Sequence, residues 1–304
     1  MEKKQTVLVV GATGFLGTEI CRQLVQANKS VKGLVRSTSD PLKIKSLQDL
    51  GVETVTGDLK DRPSLANALE NIDAVISTAS STLSRAEGDS IDTVDRMGQL
   101  NLVEAAEERS VQHFVYVSFL ESPEESPLQD AKRSVESRLK TSGMKYTILR
   151  PTFFTEVWLS PNLGFDAANH SATVYGHGVN KISWISLQDV ATFAVLSIEK
   201  EEAVNRTFDL GGPEALSPLE VIRMFESESG SSFTIQYVPE EGLRMQKEAA
   251  VDPLQRSFAA LMLTYASGAE VPMEETLKAL PAKLRTVADY CHVVAGMPAA
   301  TEAV

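Results

Sequence analysis

The chain has 304 residues, 43% of them hydrophobic, which suits one main domain with a smaller annex and allows a sizeable core. Its 29 basic residues stand against 41 acidic ones, a formal net charge of −12 that argues against a nucleic-acid surface, since such a surface needs a concentrated basic stripe. No apolar run has the length of a membrane span, and the two cysteines, Cys21 and Cys291, lie far apart in predicted helices, as free thiols of a reducing compartment do.

Met1 to Gln5 leads straight into an apolar run and leaves no space for a cleavable leader, so the expected location is cytoplasmic. Thr6 to Val10 reads as a strand, and Gly11, Ala12, Thr13, Gly14, Phe15, Leu16 and Gly17 follow as a glycine turn. The helix that this turn opens carries Leu16, Ile20 and Leu24 on one face. Strand, G-x-x-G-x-x-G turn and helix together form a dinucleotide-binding fingerprint. Gly11 permits the sharp exit from the strand, Gly14 lets backbone approach a pyrophosphate, and Gly17 allows close helix packing. The free N–H groups of the turn and first helical residues, with the helix dipole behind them, form an anion site.

A second strand, Ser30 to Val35, ends in Arg36 and Ser37, where an NAD-selective site would present a carboxylate. An arginine there suits the 2′-phosphate of NADP(H), because its planar guanidinium grips phosphate bidentately. Asp40-Pro41 and Asp61-Arg62-Pro63 mark helix starts on either side of a third strand, Glu53 to Thr56. Further strands are predicted at Ala74–Ser77, His113–Ser118 and Lys145–Arg150, with helices filling the gaps. This alternation predicts an α/β fold, a doubly wound parallel sheet with ligands at the carboxyl ends of its strands.

After Pro151 the alternation weakens, and Pro161 to Asn180 reads as a loop-rich substrate region. A helix is expected from Ser186 to about Glu199, a short strand at Arg206–Leu210, a capped helix at Pro218–Ser229, and mostly helix from Glu240 to Gly296. The predicted division is a nucleotide-binding domain over residues 1–153, with a returning segment near 182–212, and a smaller, mainly helical substrate region over 154–304.

The glycine turn, Arg36, Gly57-Asp58-Leu59, Val115 to Ser118, Lys132 with Val135-Glu136, and Tyr146 to Pro151 together resemble the NmrA-like branch of the atypical short-chain dehydrogenase/reductase superfamily. Asp189-Val190-Ala191 and Phe208 to Pro213 extend the resemblance. It implies NADPH-dependent reduction of aromatic, quinone-like or enone small molecules, or NADPH/NADP redox sensing with little turnover. It also implies that Asp58 and Leu59 border the adenine and that Thr78, Ala79 and Ser80 line the pyrophosphate and ribose. Pro151, Thr152 and Phe153 would lie under the nicotinamide, and Phe154 and Trp158 would pack on the cofactor or a flat substrate; His170 and His177, in the loop-rich substrate region, are candidate proton donors.

Ordinary members of the superfamily pair a tyrosine with a lysine four residues later, which lowers the phenol pKa. Here Leu128 stands four before Lys132, and none of the six tyrosines has a lysine four positions after it. By the resemblance, Lys132 matches the retained lysine and Ser118 the small polar residue beside the reaction centre. Lys132 then binds the nicotinamide ribose, orients a water or donates the proton. No metal-ligand spacing occurs. The expected partner is a small molecule, without nucleic acid or membrane; a homodimer or a regulatory protein partner is left open.

Overall fold

A computed structural model describes residues 4–82 and 86–295. Its first half runs β1 (Thr6–Val10), α1 (Phe15–Gln26), β2 (Ser30–Val35), α2 (Pro41–Asp49), β3 (Glu53–Thr56), α3 (Arg62–Ala68), β4 (Ala74–Ser77), a π-helical turn (Ile91–Arg96), α4 (Met97–Glu108), β5 (His113–Val117), α5 (Pro127–Lys140) and β6 (Lys145–Pro151). The second half runs α6 (Thr155–Trp158), β7 (Phe165–Asp166), β8 (Ser171–Tyr175), α7 (Leu187–Glu199), β9 (Arg206–Leu210), α8 (Pro218–Ser229), β10 (Thr234–Val238), α9 (Glu240–Ala249), α10 (Pro253–Ser267), α11 (Glu274–Ala279) and α12 (Val287–Ala295).

Seven strands form one all-parallel sheet in the order β3-β2-β1-β4-β5-β6-β9. The apolar runs of the sequence are what this sheet requires, because helices cover both of its faces. In β1, Val7 and Val9 face a layer containing Ile20, Leu24, Leu47 and Phe193, while Leu8 and Val10 face Leu65, Leu102 and Val135 on the other side. The strand order reverses direction between β1 and β4, and the crevice at their carboxyl ends is the place where this architecture binds ligands.

The second half carries its own apolar core around Phe153, Trp158, Trp184, Phe225 and Tyr265. The region read as loop-rich contains strands: β8 pairs with β7 antiparallel and with β10 in parallel, making a separate three-stranded sheet. β7 has only two residues, and β8 alternates half-buried with buried positions, too little pattern to stand out from a polar loop. The chain returns to the large sheet twice. First, α7 packs on α1 and β9 pairs with β6. Later, Met273, Ala279 and Leu280 join the core beneath α1 and α7.

Candidate cofactor and reaction site

The glycine turn and the end of β4 meet at the sheet's switch point. Thr78 N donates to Val10 O, and a Cβ on Gly11, whose φ is +87°, would lie 2.7 Å from Thr78 Oγ1 and 2.9 Å from Ala79 N. A Cβ on Gly17 would lie 2.1 Å from Gly11 O, so helix and turn touch backbone to backbone. At Gly14 the same atom would find only Gly11 O, at 3.3 Å, and would otherwise point into open space. Among the described residues no side chain caps the start of α1, and a helix start of this kind suits a pyrophosphate. Phe15 stands 72% exposed over this opening, Thr13 and Leu16 are half-buried, and Gly17 is buried.

Beyond β2, Arg36 forms a turn in which its N–H donates to Ser39 Oγ, with Ser37 exposed at the tip. Its guanidinium pairs with Asp89, and Lys60 pairs with the same carboxylate. Asp58 accepts from the N–H of Lys60 and donates its own N–H to Ser64 Oγ, so it shapes the turn after β3, while Leu59 is buried in the core. Thr78, Ala79 and Ser80 are half-buried beside the Gly11 turn.

Two residues absent from the sequence expectations hold this loop. Gln99, fully buried on α4, accepts from Ser77 Oγ and donates to Ala79 O. Asp95, fully buried in the π-helical turn, accepts from both the N–H and the hydroxyl of Ser81 through Oδ2. Its Oδ1 has no hydrogen-bond partner and lies 3.9 Å from Lys132 Nζ. A signal for both was present in the sequence: Ile91, Asp95, Gln99 and Leu102 fall on one helical face, so two polar residues occupy a stripe that otherwise buries itself.

Lys132 is buried near the end of β5. Only 5% exposed on α5, it lies 3.4 Å from Val117 O at the end of β5, with Nζ 5.2 Å from the centre of the Tyr116 ring. Burial pushes its ammonium pKa down; Asp95 and Glu136 oppose the fall, and Arg133 adds to it. Burial pushes the Tyr116 phenol well up, with the Asp95 charge adding to the rise, and its hydroxyl has no partner. The rise favours the neutral phenol.

Ser118 follows Val117, the residue whose carbonyl Lys132 approaches, but is engaged elsewhere. Its hydroxyl accepts from Arg133 and bonds to Glu136, and Arg150 donates to Glu136 at 2.5 Å. Burial pushes the Glu136 carboxyl up, yet bonds from Arg150 and Ser118 and the charge of Arg133 bring it below the ordinary value.

Pro151 ends β6, and Thr152 is fixed by its N–H to Leu210 O and its hydroxyl to Ser183 O. Phe153 and Trp158 are buried: their rings meet edge-on at 4.7 Å, and Trp158 stacks on Tyr265. Both rings thus form the core of the second region, and Phe154 is half-buried against the Rossmann layer. His170 sits in the β7–β8 turn, with its ring edge-on to Phe233 in the second region rather than against Lys132. A cleft of about 300 Å³ opens between Ser81, the π-helical turn and the first residues of α5 and α10.

A doubly wound sheet, an uncapped glycine-turn helix and a buried lysine after β5 define a dinucleotide-cradle protein of the Rossmann type. The chain belongs to the NmrA-like family, whose model matches residues 3–291. It is similar to the photosystem II assembly factor Ycf39 of Synechocystis sp., 34% identical over 243 residues, 79% of this chain and 73% of that protein. It is also similar to an isoflavone reductase homolog of Zea mays, 29% identical over 290 residues and 90% of each protein. Among solved structures, the NADPH complex of the quinone oxidoreductase QOR2 of Escherichia coli shares the fold, with a TM-score of 0.76, 22% identity, and coverage of 95% of this chain and 99% of that one.

Proposed function

We propose that this chain is an NADPH-dependent reductase acting on an aromatic, quinone-like or enone small molecule. The observation that carries the reading is Lys132: a nearly buried ammonium at the carboxyl end of the sheet, 3.4 Å from Val117 O and 3.9 Å from Asp95 Oδ1, with burial pushing its pKa down. Bound NADPH would supply the hydride. Gly11, Thr13, Gly14, Phe15, Leu16 and Gly17 would cradle its pyrophosphate, Arg36 and Ser37 its 2′-phosphate end, and Asp58 and Leu59 its adenine. Thr78, Ala79 and Ser80 would line the pyrophosphate and ribose, with Pro151, Thr152 and Phe153 beyond them.

Lys132 would donate a hydrogen bond at the reacting end, to ribose or to a substrate oxygen, while Asp95 keeps it charged. Ser118, held by Arg133 and Glu136, would stand near it, and Phe154 would border the substrate side, whereas Trp158 belongs to the core and His170 to the β7–β8 turn. A quinone-like acceptor suits this set, because water can protonate its product oxygens and little acid is required of the protein. The relative Ycf39, named as an assembly factor, favours a second reading in which the nucleotide is sensed and a partner protein is bound.

NADPH consumption with a panel of quinones, azo dyes and aromatic enones tests the two. The reductase reading expects turnover with at least one compound and a loss of tenfold or more in Lys132→Ala. Binding without turnover anywhere in the panel, with a partner captured only at one NADPH/NADP ratio, would replace it with the second reading.

A further inference from the structure

Arg36, the side chain expected to grip a 2′-phosphate, is already occupied. Its Nη1 donates to Asp89 Oδ2 at 2.6 Å, and Lys60 Nζ donates to Oδ1 of the same carboxylate, also at 2.6 Å. The Asp89 side chain is 3% exposed, whereas those of Arg36 and Lys60 are 38% and 30% exposed. The cations thus converge on a shielded anion and keep their outer sides toward solvent. They come from separate elements, the end of β2 and the turn after β3, and Asp89 comes from the run just before the π-helical turn. Two cations meeting at one pair of oxygens is the arrangement a phosphate monoester demands.

Resting on the proposed NADPH reading, we infer that Asp89 is an internal stand-in for the 2′-phosphate and sets the cofactor preference of this site. Arg36 and Lys60 each carry a positive charge, and both are directed to the Asp89 carboxylate. A 2′-phosphate brings nearly two negative charges, so it binds well only when the carboxylate withdraws. NADH carries a neutral 2′-hydroxyl and meets no such competition; the Asp89 carboxylate can stay and accept from it. Self-occupancy therefore taxes NADPH alone, raising its apparent Kd by the inverse of the fraction of molecules with the site open. If the site is open in roughly one molecule in ten, the tax is about tenfold.

Asp89 precedes Ser90, which caps the π-helical turn, and that turn holds Asp95 against Ser81 and Lys132.

Equilibrium titration of the full chain with NADPH and with NADH, followed by fluorescence or calorimetry, tests the inference. Asp89→Asn should tighten NADPH about tenfold, the inverse of the open fraction, and leave NADH within about twofold. Asp89→Ser gives the same comparison if the Asn variant is recovered unfolded. Unaltered protein that binds NADPH, together with variants whose NADPH affinity is unchanged or weaker, overturns this inference alone. Equal tightening of NADH and NADPH also overturns it, because the 2′-phosphate would then not be the group in competition. Unaltered protein that binds no NADPH overturns both this inference and the reading beneath it.

Discussion

Two glycines three residues apart should fail in opposite ways when replaced by alanine. At Gly17 the new methyl would lie 2.1 Å from Gly11 O, 2.7 Å from Gly11 C and 2.9 Å from Ala12 Cα, all backbone atoms that cannot rotate aside. Alanine gains about 1 kcal/mol of helix propensity over glycine. Overpacking costs about 1–3 kcal/mol where a core can yield, and more where it cannot. A net loss of about 2 kcal/mol is expected, which lowers the melting temperature by about 4 °C or more in a chain of this size. At Gly14 the backbone is extended, with φ −83° and ψ 165°, and the nearest atom to the added methyl is 3.3 Å away, so folding should be unaffected. That methyl enters the space proposed for the pyrophosphate, and NADPH affinity should fall about tenfold, equivalent to about 1.4 kcal/mol. Thermal unfolding followed by circular dichroism and a parallel NADPH titration check both. Gly17→Ala melting like the unaltered protein, or Gly14→Ala binding NADPH undiminished, would refute the reasoning.

The charge of Asp95 favours the ammonium form of Lys132, so Asp95→Asn should lower the lysine pKa further and move the alkaline limb of the pH–rate profile to lower pH by about one unit. An unmoved limb would mean that Asp95 only holds Ser81. Burial pushes His113 down to about 4, with Lys145 adding to the fall. Between pH 6.5 and 4 the unfolded chain binds a proton that the folded chain does not. Stability should therefore decline as pH falls through that window, by up to about 3 kcal/mol, and His113→Gln should flatten that part of a denaturant-derived stability curve.

The large sheet was legible because each of its strands is an apolar or β-branched run bounded by a turn signal. Even Arg206–Leu210, separated from its partner β6 by more than fifty residues, had that form. The caps were equally plain: Asp40 accepts from Leu42 N, and Ser217 with Glu220 closes a capping box. The small sheet was not legible, since β7 is two residues long and β10 is mostly exposed, leaving no periodicity to read.

At the site, the local parts were readable and the through-space parts were not. The glycine turn states its purpose within seven residues. That Asp95 stands against Lys132, or Asp89 between Arg36 and Lys60, depends on how separate elements meet across the crevice. Phe153 and Trp158 show the converse: an aromatic run after a strand reads alike whether it faces ligand or core, and Tyr265, more than a hundred residues later, covers it.

The late return of the chain gives this architecture a particular indivisibility. Met273, Ala279 and Leu280 seal the same layer that α1 begins, so the last quarter of the polypeptide finishes what the first twenty-six residues start. A protein shortened near residue 270 would not be a nucleotide module stripped of an ornament. It would be a sheet with one flank open to water, and the two halves that a sequence map separates would unravel together.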